Sequence, residues 1–177
     1  MGQAMTEREI EAVLREVTDE EVAFYQEYGW VMMKQLVAPE FASEFLRLGQ
    51  EWNLKQQDRE RRRNSTAGLA IEGVEPFRSF MLSERMAQNA TRLVDRKRLK
   101  DVDVPLRYRT DIVILKSPGA ASGTYHQDSS EHGSDRVGEL QFWLALAEVT
   151  PEMGAMRFVS RSHREGPLGA VFNDDQG

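Results

Sequence analysis

A chain of 177 residues, 40% hydrophobic and 29% charged, is long enough for one domain with a sizeable core, and its ordinary globular composition excludes disorder as the default. The formal net charge of −6 excludes a general nucleic-acid binder, which would be basic. With no cysteine, disulfides, thiolate metal sites and a cysteine nucleophile are excluded together, so any metal must use nitrogen and oxygen ligands.

The N-terminus lacks an apolar run with small-residue cleavage signals, and no stretch approaches the roughly 20 apolar residues of a membrane span. The sequence therefore predicts a cytoplasmic protein with no membrane partner. Thr6-Glu7-Arg8-Glu9 reads as a capping box, and Ile10, Val13, Leu14 and Val17 follow at the spacing of one helical face. A second box, Thr18-Asp19-Glu20-Glu21, opens another helix through Val22, Tyr25 and Tyr28, with Gly29 as its left-handed stop. Residues 30–33 read as a strand. Pro39 suits the first turn of a third helix, in which Phe41, Phe45, Leu48 and Trp52 form a core stripe.

From 55 to 73 the sequence turns polar and charged, which predicts a frayed helix end and a long surface loop. Arg59, Arg61, Arg62 and Arg63 lie there with Asp58 and Glu60 interleaved, the pattern of a solvated surface. Residues 77–99 look helical, with Phe80, Met81, Met86, Leu93 and Val94 available for burial and a basic end at 96–100.

After Pro105 the period changes to two. Leu106, Tyr108, Thr110, Ile112 and Ile114 alternate with Arg107, Arg109, Asp111, Val113 and Leu115, a strand pattern that Ser117-Pro118-Gly119 breaks. Residues 139–149 make the clearest strand, with Leu140, Phe142, Leu144 and Leu146 on one face and Gln141, Trp143, Ala145 and Ala147 on the other. The second face suits either a wall beside a ligand cavity or a sheet face under a helix. Residues 150–154 form a turn and 156–159 a further short strand.

Between these strands lies Thr124-Tyr125-His126-Gln127-Asp128. In extended backbone alternate side chains share a face, so His126 and Asp128 point the same way and can share one metal ion. Imidazole plus carboxylate is two thirds of the facial triad that holds non-heme Fe(II). The triplet alone has a second reading, a polar turn in which Asp128 bonds nearby N–H groups and His126 is solvated.

Several stretches together resemble the phytanoyl-CoA dioxygenase family of Fe(II)- and 2-oxoglutarate-dependent oxygenases. They are the helix through Phe24-Tyr25 and Tyr28-Gly29-Trp30; residues 112–118 with Lys116; His126-Gln127-Asp128; Phe142-Trp143-Leu144-Ala145-Leu146; residues 150–154; and residues 156–163. The resemblance implies an α+β fold, a double-stranded β-helix (a cupin-like jelly-roll barrel) with N-terminal helices packed outside. It implies one domain over 1–177, with 1–103 mainly helical and 104–177 supplying the first barrel strands.

By the same resemblance His126 and Asp128 are metal ligands and the catalytic pair, and Trp143 lies beside 2-oxoglutarate. The reaction it implies is hydroxylation of a small organic substrate, coupled to decarboxylation of 2-oxoglutarate to succinate. The family's distal histidine and its arginine fall downstream of 156–163 and are not found before Gly177. His163 matches the family's structural Ser-His instead, His132 lies in a loop, and Arg161 and Arg164 read as solvated tail residues. The resemblance thus predicts an incomplete barrel whose open edges invite self-association. A truncated, non-catalytic binding or regulatory module is the alternative. A cupin-type metal barrel with another reaction is a third reading, disfavoured by a total of three histidines.

Overall fold

The computed structural model describes residues 2–57, 65–70, 72–94, 106–116, 119, 125–128 and 139–166, with backbone only at 53–57 and 65–67. Five helices and one pair of strands run in the order α1 (Glu7–Val13), α2 (Asp19–Tyr28), α3 (Pro39–Gln57), β1 (Ser65–Ala67), α4 (Phe77–Met81), α5 (Glu84–Leu93) and β2 (Ile112–Ile114).

Both capping boxes close. Thr6 accepts from the Glu9 N–H while the Glu9 carboxylate accepts from the Thr6 N–H at 2.8 Å, and Thr18 and Glu21 repeat the arrangement at the start of α2. Each box satisfies orphan N–H groups at a helix start, so these boundaries are set locally. Ile10, Leu14 and Val17 are buried along one stripe. At the other end of α2, Gly29 takes φ 80° and its N–H bonds the Tyr25 carbonyl at 2.7 Å.

The core centres on aromatic rings from α3 and α4. Phe45 stacks on Phe77 with centroids 3.9 Å apart and meets Phe80 edge-on at 5.1 Å, while Phe41 closes the group against Phe45 and Phe80. Such pairs add to the gain from removing large apolar surfaces from water. One turn further along α3, Gly49 faces Val113 of β2, and a Cβ there would lie 2.8 Å from Val113 Cγ1. The missing side chain is what lets the helix lie against the strand.

Asn89 of α5 is wholly buried and is bonded at both ends: it accepts from the Val17 N–H and donates to the Arg15 carbonyl, each at 2.9 Å. It serves as a backbone partner for the link between α1 and α2. Arg85 reaches Glu11 and Glu16 beside it, and Arg92 reaches Asp19.

Four expectations need correction. The stretch 55–73 is not a plain surface loop: α3 continues to Gln57, Ser65–Ala67 pairs antiparallel with Ile112–Ile114 in the register Thr66↔Val113, and Leu69 and Ala70 are fully buried. The Asp111 carboxylate, accepting from the Ala70 N–H at 3.2 Å, draws that segment inward. The helix expected over 77–99 is two helices, because Ser83 leaves the helical conformation and caps α5 by accepting from the Met86 N–H. The arginine cluster at 59–63, His132 and the basic end at 96–100 lie outside the described residues.

The third and fourth corrections concern strands. Of the run expected over 106–115, only Ile112–Ile114 is in a ladder, and its buried face is that of Val113, leaving Ile112 and Ile114 52% and 54% exposed. Residues 30–33, 139–149 and 156–159 form no strand ladder among the described residues. A strand needs a partner for its N–H and C=O groups, and side-chain alternation alone does not supply one. The alternation itself is present over 139–149. Leu140, Phe142, Leu144 and Leu146 pack against the core, while the residues between them are exposed.

Candidate functional site

Residues 125–127 are extended, and this places the first and third side chains of the His126-Gln127-Asp128 triplet together. His126 Nε2 lies 3.2 Å from Asp128 Oδ1, with the two side chains 36% and 38% exposed. Gln127 points elsewhere, and its Nε2 donates to the Gly166 carbonyl at 3.1 Å. On the other side, the Arg157 guanidinium sits 5.7 Å from the centroid of the Tyr125 ring, within range of a cation–π attraction. The triplet is therefore seated on residues 157–166.

That seat is fixed in turn to the C-terminal end of α2. The Arg161 N–H bonds the Tyr28 carbonyl at 2.8 Å, and its guanidinium lies 5.0 Å from the Tyr28 ring centroid. Trp30 Nε1 donates to Ser160 Oγ at 3.0 Å, and the Trp30 ring stacks on Phe158. Arg161 and Arg164 converge on the two oxygens of Glu27, with Arg161 Nε to Oε1 at 2.9 Å. The Arg164 hydrogen bond, opposed by slight desolvation and helped by Arg161, holds the Glu27 carboxyl below its usual range.

His163 lies across Gly29, close enough that a Cβ on that glycine would come within 2.8 Å of His163 Cγ. Its Nε2 faces the Gln26 carbonyl at 3.4 Å. A carbonyl only accepts, so this nitrogen carries the proton. His163 is thereby a packing residue of the α2 turn and is not brought to His126 and Asp128. His132, the remaining histidine, falls outside the described residues. Trp143 is 46% exposed on the outer face of its alternating segment, so it is not a core residue.

The donor chemistry fits part of a site for a divalent first-row ion. Imidazole nitrogen and carboxylate oxygen bind such ions at ~2.1 Å, and neighbouring octahedral positions then stand ~3 Å apart. The 3.2 Å separation matches that edge. Among the described residues no third histidine, aspartate or glutamate joins the pair.

Sequence reasoning took Arg161 and Arg164 for solvated tail residues; the structure engages both. The signal for it was Glu27 itself. A carboxylate in the last turn of a helix opposes the negative end of the macrodipole, and with no basic residue in that turn of α2 it calls for cations from elsewhere.

No helix among the described residues is long and apolar enough to cross a membrane. A family model described as phytanoyl-CoA dioxygenase (PhyH) matches residues 25–177, from the C-terminal half of α2 through the triplet and its seat. No curated protein and no solved structure matches the chain.

Proposed function

The chain belongs to the phytanoyl-CoA dioxygenase family, and we infer that it is a non-heme Fe(II)- and 2-oxoglutarate-dependent dioxygenase that hydroxylates a small organic substrate. The observation that carries this reading is the His126–Asp128 pair, inside the matched region and at the spacing of two adjacent ligands. His126 offers a neutral imidazole nitrogen and Asp128 a carboxylate oxygen. Their mutual contact is exchanged for the ion, so uptake displaces any proton on Nε2 and is favoured as pH rises. Bound Fe(II) supplies the activation of dioxygen that couples decarboxylation of 2-oxoglutarate to succinate with hydroxylation.

The chain's own residues supply placement. Gln127 and Tyr125 tie the pair to 157–166, and Trp143 offers a half-exposed indole to 2-oxoglutarate. For the fold, the proposal is the family's double-stranded β-helix with helices outside. The two-residue burial period over 139–149 supports it, with an apolar face on the core and Trp143 on the other. Ile112, Ile114, Met156 and Phe158, each about half exposed, suit the wall of a site for an organic substrate or a face for self-association.

The test is an anaerobic titration with Fe(II) and 2-oxoglutarate, watching for the visible charge-transfer band of the chelate. The band is expected in the parent and absent in Asp128→Ala. A folded parent that gives no band, or an Asp128→Ala variant that keeps it, refutes the assignment and leaves a non-catalytic binding module as the better reading.

A further inference from the structure

We propose that Glu27 is a positioning residue for the His126–Asp128 pair, acting through Arg161 and Arg164 on the segment that seats it. As a statement about metal binding this rests on the reading above; as a statement about geometry it does not.

The chain of contacts is continuous. Glu27 takes one guanidinium on each carboxylate oxygen. Between those two arginines lies His163, seated over Gly29, and directly before them is Ser160, bonded to Trp30. The clamped segment carries both groups that touch the triplet: Arg157 at its start, over Tyr125, and the Gly166 carbonyl at its end, bonded to Gln127. Arg164 is two residues from Gly166. Releasing Glu27 therefore loosens the end of the segment that holds Gln127, and Gln127 stands between the two donors.

An exposed ion pair is worth little by itself. Three features distinguish this one: a single carboxylate joins two arginines, both are bracketed by backbone and aromatic contacts to α2, and the carboxylate sits at a helix end that is unfavourable without them. The effect expected on the donors is accordingly modest, and smaller than the 10- to 100-fold loss typical when a direct hydrogen-bond partner of a ligand is removed.

The experiment compares Glu27→Gln with Glu44→Gln, which removes a similarly exposed carboxylate paired with Arg47 on α3, and with Glu27→Asp, which keeps the charge. The first readout needs no metal: the 15N imidazole spectrum of the metal-free protein, with the His126 signal calibrated by its position in Asp128→Ala. Glu27→Gln should move the His126 signal toward that position, Glu27→Asp should move it less, and Glu44→Gln should leave it in place. The second readout is Mn(II) affinity by electron paramagnetic resonance, expected to fall about 3- to 10-fold in Glu27→Gln alone. A His126 signal indifferent to Glu27→Gln, or moved equally by Glu44→Gln, overturns the proposal. If the signal responds as expected but the parent binds no Mn(II), the positioning role stands and the metal reading falls. If the parent binds Mn(II) and Glu27→Gln changes neither readout, the positioning role falls and the metal reading stands.

Discussion

Gly29→Ala attacks the point where α2 meets the seat of the candidate site, and its cost has two separable parts. The residue holds φ 80°, where an alanine loses about 1–2 kcal/mol relative to its normal conformation. The added Cβ would also press into the His163 ring, against Nδ1 and within 2.8 Å of Cγ, which forces the ring to move. Overpacking of this kind costs about 1–3 kcal/mol. Together they give about 2–4 kcal/mol, or a Tm lower by roughly 5–12 °C for a chain of this size. Urea and thermal unfolding of Gly29→Ala, His163→Ala and the double variant separate the parts. Removing the ring leaves the backbone strain but abolishes the collision, so the double variant should be about 1–2 kcal/mol more stable than the sum of the singles predicts. Additivity within about 0.5 kcal/mol would refute the argument, because two groups in collision cannot act independently.

Asn89→Ala leaves the buried Val17 N–H and Arg15 carbonyl without their partner, and a loss of about 2–4 kcal/mol in urea unfolding is expected with little change in helix content. Thr18→Ala removes the hydroxyl that accepts from the Glu21 N–H and should cost about 1 kcal/mol by the same measure. The acid side of the stability profile follows from Glu21 and Glu27. The hydrogen bond from Arg15 holds the Glu21 carboxyl below the ordinary value of 4.5, as that from Arg164 does for Glu27. A carboxyl with a lowered folded-state pKa contributes stability above its unfolded value and loses it as pH falls through the folded value. Urea midpoints should therefore fall as pH is taken below about 4.5, and the fall should be shallower in Glu21→Gln/Glu27→Gln.

What was legible in the sequence is what neighbouring residues decide. Thr6, Thr18 and Gly29 set helix ends through bonds within one turn, and all three act where the residue types predict. The stripe of Phe41, Phe45 and Leu48 follows from helical periodicity in the same way. Ser65–Ala67 was illegible because Ser-Thr-Ala has no strand signal of its own and becomes a strand only against Ile112–Ile114. The burial of Leu69 and Ala70 depends likewise on Asp111, some forty residues later in the chain. The break between α4 and α5 had a readable mark, Ser83 followed by Glu84, an N-cap embedded in an apolar run. Alternation also could not say which face of 112–114 is buried. The absence of a side chain at Gly49 on α3 settled it in favour of Val113.

The same division runs through the candidate site. His126 and Asp128 approach each other because they are two residues apart in extended backbone, a geometry that a chance triplet would also produce. What a chance triplet would not have is the frame around it. Gln127 reaches Gly166 across 39 positions, Trp30 reaches Ser160 across 130, and Arg161 reaches Glu27 across 134. These long-range contacts cost chain entropy to form and stabilise little individually, so their convergence behind one triplet is more specific than the triplet itself. A metal site requires that its ligands be held before the ion arrives, since disorder among them is subtracted from the affinity. The sensitivity of His126 to substitutions at Glu27 thus discriminates a built site from an exposed polar turn more sharply than substitution of the donors, which would abolish their contact in either case.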